Sequence, residues 1–415
     1  MIIASIDLSR GKAVQLRQGR DPGLAVDDPL GLAADFDRTC EIAVVDIDAA
    51  RGEGENTEII RRLVRIGQCR VGGGLRTVER AEDMLGRGAS RVIIGTAAFR
   101  EGRVDRGFLE RLSERVGRDR VIIAVDAREG VIVADAWRTA TGLRVEDAVP
   151  ALDPYCSEFL FTSVETEGTL AGLPAERVKR LRSLTANRWT VAGGVADLDE
   201  VERLSRLGVH VQLGMALYTG RINPAEGLIR SLDWSKGLIP TVVQDEAGRV
   251  LMLAFSSPES LRAALTEGRM CYYSRSRERL WVKGETSGHI QELVRIRADC
   301  DADALLATVR QRGVACHFGL ETCFGDRPFL LADLQAVVED RLRRPTARSY
   351  TASLDDDRLA GKIREEAAEL NRASSRDEVV WEAADLLYFM TVRLARSGVP
   401  FGDVFRELGR RRRAR

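Results

Sequence analysis

The chain has 415 residues, with 63 basic and 63 acidic side chains and a formal net charge of zero at pH 7. That length exceeds what one hydrophobic core usually covers, so two or three domains are expected, and the charge balance excludes a general nucleic-acid binder. No apolar run approaches the roughly 18 residues a membrane span needs, and the N-terminal MIIASIDLSRGK lacks the basic start and cleavage site of a leader. Seven cysteines, an odd number scattered over a long chain, point to a reducing cytoplasm, with three of them better explained by metal.

Over residues 1–230, short β-branched runs alternate with helical patterns. The runs are MIIASI, IAVVDI, RVIIGTA, RVIIAVD, FLFTSV, WTVAGG and VHVQLG. Parallel strands with helical crossovers are predicted. The chain also repeats itself at a spacing of about 119 residues. SIDLSRGKAV around Asp7 aligns with AVDAREGVIV around Asp126, and Asp46 and Asp48 align with Glu165 and Glu167. Gly72–Arg76 aligns with Ala192–Ala196, and Gly95 with Gly214. Two copies of a four-stranded half make a (β/α)8 TIM barrel.

Catalytic groups of such barrels lie at the carboxyl ends of the strands. The repeat sets Asp7 and Asp126 opposite each other across the mouth, where two carboxylates can act as general base and general acid. The glycine turns around Gly73, Gly74, Gly193 and Gly194, with Gly95 and Gly214, expose backbone N–H groups near helix starts. They predict two phosphate sites, and so a substrate with a phosphate at each end.

The motifs IDLSRGKAVQLRQG, VGGGLRT, RVIIGTAA and EGTLAG resemble the barrel isomerase of histidine biosynthesis across nearly all of 1–230. That family is the phosphoribosylformimino-aminoimidazole carboxamide ribotide isomerase. The resemblance implies an Amadori rearrangement of an aminoaldose to an aminoketose by acid–base groups, without metal. It implies Asp7 as the base, Asp126 as the strand 5 aspartate, and Arg17, Arg76 and Thr96 among the substrate contacts. Relatives read DGT where this chain has Glu167–Gly168–Thr169, and the family's aspartate there is a proposed acid. The acid is left open between Asp126 and Glu167. Also open are a barrel that isomerises another phosphoribosyl substrate, such as the tryptophan-pathway one, and a barrel that is a non-catalytic scaffold.

In residues 231–328, SLDWSKGLIPTVVQDEAGRVLMLAF predicts strand, turn and strand, with Gly248 in the turn. SSPESLRAALTEGRM predicts a helix capped near Ser257 and stopped at Gly268. CYYSRSRERLWVKG returns to strand, with Arg275, Arg277 and Lys283 placed to meet an anionic nucleotide near Trp281. Then come WVKGETSGH, ADCDAD and ACHFGLETC, which hold His289, His317, Cys300, Cys316 and Cys323. Read as a strand, ADCDAD lines one face with Asp299, Asp301 and Asp303 and turns Cys300 to the other. Thiolates suit zinc and carboxylates suit magnesium, so the stretch predicts two metals.

These motifs resemble phosphoribosyl-AMP cyclohydrolase across about 232–327, which implies a small α+β domain. The resemblance implies zinc on Cys300, Cys316 and Cys323 and magnesium on Asp299, Asp301 and Asp303. It implies a proton-transfer role for His289, Trp281 and Lys283 among the substrate contacts, and a homodimer with the metal site at the subunit interface. FGDRPF at 324–329, with its Gly and Pro, marks the boundary to the last domain.

Over residues 329–415, LADLQAVVEDRLRR has apolar residues at helical spacing. After the polar link PTARSYTASLDDD, RLAGKIREEAAEL and RDEVVWEAADLLYFMTVRLARSG predict two longer helices. Glu365, Glu366 and Glu369 facing Glu382 and Asp385 would make an all-oxygen magnesium site able to grip a pyrophosphate. SYTASL, EEAAEL and WEAADLLY resemble phosphoribosyl-ATP pyrophosphohydrolase, an all-α family that also self-associates, and imply these five as magnesium ligands. The run Arg410–Arg413 reads as a solvated helix end.

The three resemblances are to consecutive steps of one pathway, in reverse order along the chain. The sequence predicts a cytoplasmic, multifunctional histidine-biosynthesis enzyme acting on small phosphoribosyl nucleotides, with no nucleic-acid or membrane partner. Its expected domains are a barrel (1–230), a cyclohydrolase domain (231–328) and a helical pyrophosphohydrolase domain (329–415).

Overall fold

The computed structural model describes residues 1–19, 21–325, 329–345 and 349–410. Part of the expected boundary segment 324–329, part of the polar link and the terminal arginines beyond Arg410 lie outside the described residues. One compact body covers Met1–Cys323, and a second carries the helices from Phe324 onward.

The first body opens with eight parallel strands: β1 (Ile2–Ser9), β2 (Glu41–Asp46), β3 (Cys69–Gly72), β4 (Arg91–Ile94), β5 (Val121–Ala124), β6 (Glu158–Thr162), β7 (Arg188–Ala192) and β8 (His210–Leu213). They pair in chain order. Ile2 lies opposite Val211 and Ala4 opposite Leu213, so β8 returns to β1 and the sheet closes. The halves β1–β4 and β5–β8 match the repeat of about 119 residues. A hairpin of Lys12–Arg17 and Asp21–Val26 extends from β1.

Alternation along each strand divides the side chains between two cores. Outward residues such as Ile6, Val44, Val71, Phe161 and Val191 pack under the helices. Inward, Ile93, Ile122, Ala124, Leu160 and Ala192 form a separate cluster that fills the lumen. Nearer the amino ends of the strands, Arg70 is fully buried between Glu41 and Glu158, and Arg91 reaches the same two carboxylates. Burial alone would raise Glu158, but the guanidiniums of Arg70 and Arg91 hold it at about 2. Each charge in this layer is paired, the condition under which buried ions are tolerated.

Helix α1 (Pro29–Asp37) precedes β2. The last barrel helix, α2 (Pro224–Ser231), serves two cores. Its Gly227 lies against Ile2 of β1, while Leu228 and Ile229 are buried with Leu251, Leu261 and Tyr272 of the next domain.

That domain has a mixed sheet of β9 (Ile239–Asp245), β10 (Val250–Ser256), β13 (Gln291–Ala298) and β14 (Leu305–Gln311). Its order is β10-β9-β14-β13. Helix α3 (Pro258–Glu267) starts on a Ser257 cap and ends on left-handed Gly268, as the sequence predicted. The hairpin β11 (Cys271–Ser274) and β12 (Arg279–Val282) stands apart. Two expectations are corrected. Arg275 and Arg277 sit in the hairpin turn rather than in a strand. β13 stops at Ala298, so Asp299–Asp303 is a loop, with Ala302 left-handed (φ 64°).

The second body holds α4 (Leu331–Arg343), α5 (Asp356–Arg372), α6 (Arg376–Arg396) and α7 (Phe401–Arg410). Tyr350–Ser353, read from sequence as polar link, forms one further helical turn. Val338, Leu354, Leu359, Phe389 and Val392 make its core. Among the described residues, no helix is long and apolar enough to cross a membrane.

Candidate functional site

A cavity of about 210 Å³ opens at the carboxyl ends of the barrel strands. Asp7, Asp126 and Glu167 line it, with Gly73, Gly74, Arg76, Gly95, Thr96, Gly193, Gly194 and Gly214. Asp7 lies within β1, Asp126 just past β5 and Glu167 in the loop after β6. Ser5 Oγ donates to Asp7 Oδ1 at 2.9 Å. Burial outweighs that bond and lifts the Asp7 carboxyl to about 6. Burial also raises Asp126, against hydrogen bonds from Trp137 and Thr162. Glu167 is pushed to about 8, first by burial and then by the charges of Asp7 and Asp126. One cavity thus holds a carboxyl ionised near neutrality and another that keeps its proton, the split that acid–base pairs require.

The paired glycines have a packing reason as well. A Cβ on Gly73 (φ +92°) would stand 2.2 Å from the Asp46 carbonyl oxygen, and one on Gly193 (φ +99°) 2.5 Å from that of Ser163. Gly95 leads into a 3₁₀ turn, Thr96–Ala98, and Gly214 into the one-turn helix Met215–Tyr218. The repeat breaks down at Asp48, the counterpart of Glu167. It is tied to Ser9, to the Arg10 N–H and to Asn56, outside the cavity lining. Arg17, expected among the substrate contacts, is exposed at a hairpin strand end and does not line the cavity.

Sequence reasoning missed Trp137. Its Nε1 donates to Asp126 Oδ2 at 2.8 Å, and its ring covers Gly19, where a Cβ would lie 2.7 Å away. Asp135, Ala136 and Trp137 are all left-handed, with φ of 52°, 52° and 64°. Such strain persists only where the surroundings enforce it, and it gathers at sites. The only sequence signal was a tryptophan in an otherwise polar loop.

In the second domain, carboxylate oxygens of Asp299, Asp301 and Asp303 lie within 4.8 Å of one another. The N–H groups of Asp303 and Ala304 donate to Asp299, both at 3.1 Å, and shape the loop. Lys236 pairs with Asp303 at 2.8 Å. Three hard oxygen ligands fit a divalent cation such as magnesium. Cys316 and Cys323 lie side by side; burial and then the Cys316 neighbour raise the Cys323 thiol. Cys300 is exposed on the aspartate loop, and no group of three close ligands among the described residues includes it. Among the described residues, Cys316 and Cys323 are thus two adjacent soft ligands, a donor type that suits zinc.

Lys283 is buried near that thiol pair, with Nζ donating to the Ala315 carbonyl at 2.8 Å and lying 5.6 Å from the Trp281 ring. The Arg275 guanidinium stacks 3.7 Å from the Phe255 ring centre. His289 packs against Gly313, and His317 against Phe318 at 4.0 Å.

In the helical body, ligand oxygens of Glu366, Glu382 and Asp385 converge within 4.8 Å, with Glu366 buried. Desolvation, and then the charges of Glu369, Glu366 and Asp385, raise Glu382. Glu365 lies outside the group and is drawn to Lys362 at 2.9 Å. This set too fits a hard divalent cation.

Three family models match the chain in succession: histidine biosynthesis protein over 1–223, phosphoribosyl-AMP cyclohydrolase over 252–325, and phosphoribosyl-ATP pyrophosphohydrolase over 331–412. The histidine biosynthesis bifunctional protein HisIE of Pyrococcus furiosus is 39% identical over 206 residues, covering 45% of this chain and 99% of the relative. The Synechocystis protein of the same name is 43% identical over 194 residues, 43% of this chain and 90% of the relative. The histidine biosynthesis trifunctional protein of Saccharomyces bayanus is 45% identical over 175 residues, 41% of this chain. The match spans only 22% of that yeast protein. A closed barrel matched over more than half the chain, followed by two modules that together match nearly the whole of a bifunctional relative, settles kinship: the chain belongs to the histidine biosynthesis protein family, with cyclohydrolase and pyrophosphohydrolase family modules following its barrel.

Proposed function

We propose that this chain performs three consecutive steps on phosphoribosyl nucleotides. The helical body releases pyrophosphate from phosphoribosyl-ATP. The middle domain opens the adenine ring of the resulting phosphoribosyl-AMP. The barrel isomerises the aminoaldose so formed to an aminoketose. The observation that carries the barrel assignment is the convergence of Asp7, Asp126 and Glu167 on one cavity at the carboxyl ends of the strands, where burial raises all three carboxyls. Asp7, ionised above about 6, takes the proton from the sugar carbon next to the imine. Glu167, protonated below about 8, gives one to the ring oxygen as the sugar opens. Asp126, steadied by Trp137, orients the substrate between them. The glycine turns of both half-barrels receive the two terminal phosphates.

In the middle domain, Lys283 borders the thiol pair with Trp281 beside it, and His289 moves the proton. A zinc ion on Cys316 and Cys323, completed by Cys300, would supply an ionised water at neutral pH. Because Cys300 is not grouped with the pair, a second copy completes the set, and the working form is a homodimer. Support comes from Leu253 and Leu306, which flank Val242 in register on the sheet and are 51% and 39% exposed. A magnesium ion on Asp299, Asp301 and Asp303 would neutralise substrate charge there, and one on Glu366, Glu382 and Asp385 would do so for the departing pyrophosphate.

The barrel assignment is tested by supplying the aminoaldose directly to the purified chain. Conversion to the aminoketose is expected, with loss of that conversion in Asp7→Asn. An unchanged aminoaldose in the wild-type tube would refute the assignment and leave a barrel that binds or isomerises something else.

A further inference from the structure

The body Met1–Cys323 fixes where the middle domain sits on the barrel. Asp37 and Arg38 lie at the end of α1, just before β2 begins, so they belong to the barrel's amino-end face. On that face the backbone N–H of Ile296, in β13, donates to the Arg38 carbonyl at 2.9 Å. Arg297 pairs with Asp37 at 2.8 Å, and Arg295 approaches the same carboxylate at 3.7 Å. Arg38 in turn donates to the Leu265 carbonyl of α3 at 3.3 Å. A further link runs from Arg262 of α3 to Glu226 of α2, a two-pronged pair at 2.6 and 2.9 Å. The shared core around Leu228 and Ile229 lies beneath it.

The aspartate loop of the middle domain sits at the same end. The N–H of Asp233, two residues past α2, donates to the Ala302 carbonyl at 2.8 Å, and Lys236 pairs with Asp303. The barrel cavity opens on the opposite face, at the carboxyl ends of the strands. The eight residues of β1, rising about 3.3 Å each, separate the two faces by roughly 25 Å. The lumen offers no passage between them. Arg70 and Glu158, both at 0% exposure, block its amino end, and the Ile93, Ile122 and Leu160 cluster fills its middle.

We propose that the middle domain is locked to the amino-end face of the barrel, so that its product leaves the protein and reaches the barrel mouth only through bulk solvent. The fusion holds two successive enzymes in fixed ratio and shares one core between them; it does not hand the intermediate across. The proposal rests on the functional reading above, in which the middle domain makes what the barrel consumes.

Isotope dilution on the full chain tests it. The enzyme receives labelled phosphoribosyl-AMP together with a large excess of unlabelled aminoaldose. The early aminoketose is expected to carry the specific radioactivity of the free aminoaldose pool, diluted by the same factor as that pool. Aminoketose with the undiluted label of phosphoribosyl-AMP would overturn the proposal and show direct transfer. The unlabelled pool separates the two readings: if none of it turns over, the barrel assignment itself fails and this inference falls with it.

Discussion

Trp137 Nε1 donates a 2.8 Å hydrogen bond to Oδ2 of Asp126, a carboxyl that lines the barrel cavity. The indole fixes one oxygen of this buried carboxyl. Trp137→Phe keeps the ring over Gly19 and removes only the donor. Leaving a buried acceptor unsatisfied costs about 1–3 kcal/mol, so the barrel step is expected to slow by roughly tenfold to a hundredfold. Pyrophosphate release and ring opening should keep their wild-type rates. An equal loss in all three assays would mean that the substitution had damaged the fold instead.

The pH profile of the barrel step follows from two carboxyls displaced to different extents. Asp7 must be ionised to act as base, so kcat/KM should rise as pH passes through about 6. Glu167 must be protonated to act as acid, so it should fall as pH passes about 8. Glu167→Asp shortens the side chain by one methylene. A misplacement of about 1 Å can cost on the order of a hundredfold in rate. The variant should therefore lower the maximum and move the alkaline limb, leaving the acid limb near 6 in place. An alkaline limb that stays put in the variant would assign the acid to Asp126.

Arg70 is expected to be the most costly single charge to remove. Arg70→Met leaves Glu41 and Glu158 buried with Arg91 as the one arginine still paired to them. Breaking a buried pair costs about 3–5 kcal/mol, measurable by urea unfolding. Because Glu158 is held at about 2, below the roughly 4.3 of a free glutamate, its contribution is complete above the free value. That contribution is lost as pH falls towards 2. The destabilisation by Arg70→Met should shrink in acid. The shared Leu228 and Ile229 packing predicts that barrel and middle domain unfold in one transition, read by two probes.

Glu366→Gln should stop magnesium-dependent pyrophosphate release while supplied phosphoribosyl-AMP is still converted. Glu365→Gln should matter far less, because Glu365 lies outside the group that Glu366 forms with Glu382 and Asp385. Cys316→Ala should remove bound zinc, measured by elemental analysis of dialysed protein, together with ring opening. Equal losses for Glu365→Gln and Glu366→Gln would contradict the placement of the helical site.

The barrel was legible because it is written twice. The repeat carried strand ends and glycine turns together, and that set Asp7 and Asp126 across one mouth, while Glu167 was singled out by the family resemblance of its loop. β3 was not among the apolar runs, since it is four residues ending in glycine and offers little length to read. The aspartate loop misled because Asp at every second position imitates strand alternation. Aspartate also shapes loops by accepting backbone N–H groups, and Asp299 does so twice. Glu365 and Glu366 are equivalent in the motif, yet neighbours on a helix point about 100° apart, so only one meets the facing helix. Trp137 was beyond reach for another reason. Its contact with Asp126 depends on three successive left-handed residues, a conformation that residue types other than glycine do not announce.

The measurement that bears most directly on the whole account is a single-tube assay on the purified chain with phosphoribosyl-ATP and magnesium as the only additions. Pyrophosphate, the aminoaldose and the aminoketose are followed together. The account predicts one equivalent of pyrophosphate and, after a transient of free aminoaldose, full conversion to the aminoketose. Pyrophosphate release that stops at the aminoaldose would contradict it, because the carboxyl cluster at the barrel mouth would then have no part in the third step.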